Sequence, residues 1–328
     1  MNRFYQFLYL AILAILISTP VHSWDRKARQ HDLRSDNLDR FQSRQNFLKR
    51  KSSNSYNNHE VATSDSGLQR PIESKRKGVA YHLGFSTKAY HTNNPISVES
   101  GDMLKTSAGV LENSLQGNII LGAYDLRGAA FSPIVGINYT KFTNFGDDLF
   151  KNYDFDSISM SFAGIFQFAN DWNIRPSIAY NADFNPRDGY RRQFSQFSPG
   201  IAIGKTFSWG KTQSFLEWSS SFNFSNQPNS FSMPTDDMNR FETSLTWGFD
   251  IPFGRFNFSP YLRGALVDYS KKDRTDFLSN FGLDLKFTVT DWLALKIYST
   301  ISTRDSSVNG LDFTRIDTGC GASLNAKF

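Results

Sequence analysis

From Gly78 onward, apolar and polar residues alternate with a period of two. Near the C-terminus, Ile316, Thr318, Cys320, Ala322, Leu324, Ala326 and Phe328 share one parity, and Arg315, Asp317, Gly319, Gly321, Ser323, Asn325 and Lys327 share the other. Side chains alternate across a strand, so this segment is a strand with one apolar face and one polar or very small face. The same pattern recurs upstream. Phe277, Phe281, Leu283, Leu285 and Phe287 oppose Asn280, Gly282, Asp284 and Lys286, while Leu293, Leu295, Ile297 and Ile301 oppose Lys296, Tyr298, Thr300 and Arg304. Phe241, Leu245, Trp247 and Phe249 oppose Glu242, Ser244, Thr246 and Gly248. Ile174, Pro176, Ile178 and Tyr180 oppose Arg175, Ser177, Ala179 and Asn181.

The pattern predicts twelve strands, over 79–91, 114–125, 129–143, 154–168, 172–184, 193–208, 211–226, 239–251, 255–269, 276–289, 291–304 and 311–328. A soluble sandwich alternates too, with its polar face to water. Three features favour a transmembrane barrel. The strands exceed the usual globular length of about 5–6 residues and cover the roughly 9–11 that a crossing needs. Tight turns at 125–128, 169–171, 208–211, 252–255 and 290–291 alternate with longer, charged connections at 92–113, 144–153, 185–192, 227–238, 270–275 and 305–310. Aromatics gather at strand ends: Trp172, Phe207, Trp209, Phe253, Phe256 and Trp292 by the tight turns, Tyr139, Phe142, Phe184, Phe224 and Tyr269 by the long loops. Two such belts are expected where strands cross the interfaces. The expected fold is all-β: an antiparallel up-and-down transmembrane β-barrel of about 12 strands over 78–328.

Composition changes the picture for the first 77 residues. The 328-residue chain has a formal charge of +5 and a pI of about 9.1, which suggests a nucleic-acid or membrane-surface binder. Segment by segment that changes. Residues 24–77 hold 13 Lys+Arg against 7 Asp+Glu, whereas 78–328 hold 22 against 24. The basic character belongs to an N-terminal arm. Residues 1–23 read as a signal peptide: Arg3, the apolar run Phe7–Ile17, Pro20, then Val21-His22-Ser23 before the cut. Residues 24–77 have few large apolar residues and cannot bury a core. They read as a mostly disordered periplasmic arm, either a solvated linker or a segment that contacts peptidoglycan or a periplasmic protein. Export makes nucleic acid an unexpected partner. A mean hydropathy of −0.43 excludes a bundle of membrane helices, but a barrel needs only every second residue to be apolar.

The export signal, about twelve amphipathic strands and the terminal Phe328 on the lipid-facing parity resemble bacterial outer-membrane β-barrel proteins. The resemblance covers 78–328 and is to a broad class. It implies an outer-membrane location, contact with outer-membrane lipids, and Phe328 as the signal read by the barrel-assembly machinery. Ala326, where many members carry a bulkier residue, is a departure.

Candidate chemistry is sparse. Of the five His, only His82 and His91 fall in the barrel, both on its first strand. The barrel phospholipases and lipid A deacylases of this class need a Ser beside a His, and no His-x-Ser occurs. Asp147-Asp148 and Asp236-Asp237 fall in outer loops, where an omptin-like protease would need an Asp–His couple. A hydrolase is therefore the weakest reading. No cofactor or metal site is expected, and Cys320 is expected to face lipid as an inert small residue.

The lumen is more informative. Small residues are placed inward at Ser159, Ser161, Ala163, Ser198, Gly200, Ala202, Ser219, Ser221, Gly319 and Gly321. Charged groups are expected to line it at Arg175, Asp183, Arg263, Asp284, Lys286, Lys296, Arg304 and Arg315. Barrels larger than about eight strands leave interior space. The expected function is a narrow, weakly selective diffusion channel for small polar solutes. The alternative is a non-conducting structural or surface-interaction barrel closed by ion pairs. In the outer loops Arg187, Arg191 and Arg192, with Lys271, Lys272 and Arg274, are candidate contacts for lipid phosphate.

Overall fold

A computed structural model describes residues 79–94, 107–126, 128–145, 154–226, 239–270, 273–309 and 311–327. The proposed signal peptide, the arm, Asp147, Asp148, Asp236, Asp237, Lys271, Lys272 and Phe328 lie outside the described residues.

Thirteen strands form one antiparallel sheet. They are β1 (Ala80–Thr92), β2 (Ala108–Ile120), β3 (Tyr124–Leu126), β4 (Ala129–Phe145), β5 (Phe155–Phe168), β6 (Trp172–Asn185), β7 (Arg191–Trp209), β8 (Thr212–Asn226), β9 (Arg240–Phe253), β10 (Phe256–Tyr269), β11 (Arg274–Thr288), β12 (Leu293–Ser306) and β13 (Phe313–Lys327). Each long strand pairs with its sequence neighbour, and β1 pairs with β13, from His82 opposite Lys327 to Thr92 opposite Asp317. The sheet closes on itself through the β1–β13 and β2–β4 pairings.

β2 and β3 together make one interrupted strand. Both pair with β4, β2 from Ile120 opposite Ile134 upward and β3 at Tyr124 opposite Phe131. Gly122, at φ +125°, interrupts them in a conformation that a side chain would strain. The barrel thus has twelve staves, as expected. The start of β2 differs most: it begins at Ala108, well inside the segment 92–113 expected as loop. There Val110 and Glu112 point in and Leu111 points out, so apolar residues fall on both faces and the period of two is hidden.

The tight turns lie where the pattern placed them. Gly210 and Gly254 take φ of +62° and +64°, the left-handed geometry of short hairpin loops. The strands tilt strongly. Following paired residues around the wall from Ala80, at the short-turn end of β1, leads through Ile120, Ile134, Ala163 and Ser177. The row continues through Gly200, Ser221, Glu242 and Val267 to Asp276 and Ser306, at the long-loop end of β12. Such stagger is required for closure.

The outer face carries exposed Leu83, Phe85, Ile137, Phe162, Ile178, Leu245, Leu262, Phe281, Ile297 and Ile301. The short-turn end carries its aromatic belt, with Trp172, Trp209, Phe253, Phe256 and Trp292 exposed. Lys205 lies over Trp172 and Phe207, 5.2 Å and 5.3 Å from their ring centres. The long-loop end differs from expectation. Tyr139 and Phe224 face outward, but Phe142 and Tyr269 are buried inside the barrel. Strand-end position alone did not distinguish belt from lumen. Parity does: Phe142 shares the inward face with Gly136 and Thr140, and Tyr269 shares it with Ala265 and Val267.

Candidate functional site: the barrel lumen

All eight charged residues expected to line the lumen carry the inward parity of their strands. Arg175, Asp183, Asp284, Arg304 and Arg315 are buried, and Arg263, Lys286 and Lys296 are half-buried. Strand alternation places them, and their partners share that parity. Arg175 on β6 donates to Glu217 on β8 at 2.5 Å, spanning two strands because the intervening β7 offers only Ala202 and Gly204 there. Arg263 contacts Glu242 at 2.6 Å, Lys296 contacts Asp284 at 3.1 Å, and Arg315 contacts Asp317 at 3.0 Å. Lys88 meets Glu112 at 3.0 Å. Burying one member of such a pair alone would be strongly unfavourable.

The anionic partners Glu112, Glu217, Glu242, Asp276 and Asp317 were not singled out among the candidate residues. Their signal was available, since each sits on its strand's inward parity. Neutral groups extend the network. Gln196 Nε2 donates to Asn223 Oδ1 at 3.0 Å and Arg240 donates to Gln196 Oε1 at 3.0 Å.

One site residue is corrected. Arg274 was grouped with outer-loop cations that could meet lipid phosphate. It is the first residue of β11, faces inward and is buried. Its Nε donates to Asp276 Oδ1 at 2.7 Å, Ser306 Oγ donates to the same oxygen at 2.6 Å, and the guanidinium stacks 4.4 Å from the Tyr269 ring centre. The expected loop 270–275 ends earlier than charge alone suggested, and period-two placement turns Arg274 into the barrel. Arg187 lies at the rim, paired with Asp154 at 2.9 Å, and Arg191 and Arg192 are exposed there.

The lumen is layered along its axis. Toward the long-loop end every stave contributes a buried inward side chain. On one side these are Thr92, Val110, Phe142, Phe155, Asp183 and Phe194; on the other, Asn223, Arg240, Val267, Leu278, Arg304 and Phe313. Phe142 and Phe155, each 1% exposed, stack at 4.5 Å between ring centres. Ala265, Val267, Tyr269, Leu278 and Phe313 form one apolar cluster opposite. Arg304 caps it, 4.5 Å from the Phe313 ring and donating to the Leu311 carbonyl at 2.5 Å. Apolar and cationic side chains thus line the outer end of the lumen on every stave, as a collar.

Midway down, β5 to β8 present half-buried Ser159, Ser161, Ser177, Ala179, Ser198, Gly200, Ser219 and Ser221. Nearer the short turns two rings fold against the wall. Phe215 lies over Gly248 and Tyr261 over Gly282, each filling the space that a missing side chain leaves on the neighbouring strand.

His82 points inward and His91 outward, on opposite faces of β1. Among the described residues no group of three His, Cys, Asp or Glu could hold a metal ion. Cys320 is exposed on the outer face.

A closed antiparallel barrel with an apolar exterior and a paired polar interior is the form in which strands cross a membrane. This chain is a β-barrel of the outer-membrane type. Solved structures that it resembles belong to that class. The beta domain of the Bordetella autotransporter Brka covers 76% of this chain and 99% of its own, at 8% identity and TM-score 0.43. An outer membrane channel from Pseudomonas putida F1 covers 79% and 100%, at 10% identity and TM-score 0.49. LpxR from Salmonella typhimurium covers 73% and 99%, at 10% identity and TM-score 0.40. At these values the architecture rests on the strand closure itself. No family model and no curated protein sequence matches the chain.

Proposed function

We propose that this protein is a bacterial outer-membrane barrel whose lumen is closed to ions at its outer end. It acts as a membrane-embedded structural or interaction scaffold. The observation that carries this reading is the collar: every stave buries an inward side chain toward the outer end, and its two arginines, Arg240 and Arg304, donate to Gln196 and the Leu311 carbonyl. A solvated channel would leave such arginines and carboxylates exposed to water, where paired surface charges contribute little. The experiment is planar-bilayer recording of the purified protein, in which repeated insertions without conductance steps support the scaffold.

A narrow diffusion channel for small polar solutes is the second reading. The small-residue wall of β5 to β8 favours it, because those half-buried serines take up little of the lumen at mid-height. Under it, the same recordings show discrete steps.

In the scaffold reading, residues 24–77 supply the periplasmic contact, with peptidoglycan or a periplasmic protein as partner. Sedimentation with purified peptidoglycan and pull-down from periplasm test this. A hydrolase has the least support, since the two His of the barrel, His82 and His91, lie on opposite faces of β1. Unchanged lipid hydrolysis after His82→Ala would end its His-dependent form.

A further inference from the structure

The β6–β7 hairpin contains a register shift that changes the direction of one cation. Asp183 pairs with Phe194 and Phe184 pairs with Arg192, so Gln193 is an extra residue on β7. Phe194 and Asp183 are buried on the inner side. By simple alternation Arg192 would share their face. The bulge instead gives it the parity of Phe184, which faces outward with Tyr180 and Ile178. Bulges of this kind re-aim side chains at barrel rims.

The same hydrogen-bonded row continues sideways. Phe184 pairs with Asp156 on β5, and Asp156 pairs with Lys141 on β4. Lys141 is exposed, with the outward parity of Ile137 and Tyr139. Asp156 lies between the two cations on this row but forms an ion pair with neither, its Oδ1 being buried without a hydrogen-bond partner. Asp156 is buried and accepts a hydrogen bond from Tyr139 Oη at 2.7 Å. Neither Lys141 nor Arg192 makes an ion pair among the described residues. Three strand spacings separate them, roughly 14 Å between backbones, a span that two long side chains can close onto one headgroup. Arg191, exposed at the same rim, pairs with Asn185 and takes the opposite parity, while Arg187 is occupied by Asp154.

Two unpaired cations on a membrane-facing surface are tolerated only at headgroup level, and there they have one abundant class of counter-ion. We propose that Lys141 and Arg192 form a binding site for the phosphate of an outer-leaflet lipid headgroup, with the Gln193 bulge aiming Arg192 into it. This rests on the outer-membrane placement and is independent of whether the lumen conducts. Both cations approach the phosphate as charge-assisted donors.

The test uses the full-length protein in phosphatidylcholine nanodiscs, with heat-modifiable gel mobility confirming that each variant is folded. It is titrated with lipid A carrying its phosphates, with dephosphorylated lipid A, and with inorganic phosphate. The wild-type protein should prefer the phosphorylated lipid by about tenfold or more. Lys141→Gln and Arg192→Gln, alone and together, should reduce that preference toward unity. Lys211→Gln, an exposed lysine at the opposite end, should leave it unchanged. Equal affinity of the wild type for both lipids overturns the proposal, as does a preference that survives the double substitution. Displacement of the lipid by millimolar inorganic phosphate would also overturn it, by identifying a free-anion site instead. Loss of heat-modifiable mobility in the wild type would instead count against the barrel itself.

Discussion

Replacing Glu217 by Gln tests the lumen network at one of its deeply buried cations. The Arg175 side chain is 4% exposed and that of Glu217 is 15% exposed, with 2.5 Å between them. Without the carboxylate, Arg175 keeps a 3.3 Å contact to Asn173 Oδ1 and no full negative charge at hydrogen-bond distance. Breaking a fully buried pair costs about 3–5 kcal/mol. Because water reaches part of Glu217, the expectation here is about 2–3 kcal/mol. The converse change, Arg175→Met, leaves the more exposed partner unpaired, and a hydrated carboxylate is less penalised. Its loss should be smaller, about 1–2 kcal/mol, after allowing for the packing of the Met side chain. The double substitution Arg175→Met with Glu217→Met should lose less than the two single losses combined, because no charge is stranded. Urea unfolding in lipid vesicles, followed by tryptophan fluorescence and gel mobility, measures all four proteins. Arg175→Met being the more damaging single change, or both falling below about 0.5 kcal/mol, would refute the buried-pair account.

Three further outcomes follow from other parts of the barrel. Gly282→Ala should destabilise by about 1–3 kcal/mol, because its new methyl meets the Tyr261 ring; combining it with Tyr261→Ala should remove the clash, visible as a loss smaller than the sum in the same urea assay. Phe155→Ala removes one ring of the Phe142 stack and should cost about 3–5 kcal/mol in that assay. Deleting residues 24–77 should leave heat-modifiable mobility intact while abolishing peptidoglycan sedimentation or periplasmic pull-down.

Much of the wall was legible in the sequence because membrane and lumen impose opposite chemistry on adjacent residues. In β11, Phe277, Phe281 and Leu283 face out while Asn280, Gly282 and Asp284 face in, so parity alone placed both the strand and its luminal charges. Legibility fell where that contrast disappears. At the outer end the lumen is itself apolar, so Val110 and Leu111 look alike on opposite faces of β2. Phe142 and Tyr269 resembled belt residues although they build the collar. Arg192 was legible as a rim cation, but its direction on β7 was not: a single extra residue reverses parity locally, and nothing in the composition of Arg191–Phe194 marks it. Arg274 showed the reverse error, because charge suggested a loop where alternation, carried two residues further from Asp276, would have placed it in the lumen.

The closed collar is tested most directly by single-molecule conductance. Wild-type protein should insert into planar bilayers without discrete current steps. The Phe142→Ala, Phe155→Ala double variant, folded by gel mobility, should show them. Reproducible steps from the wild-type protein would contradict the account and establish the channel reading instead.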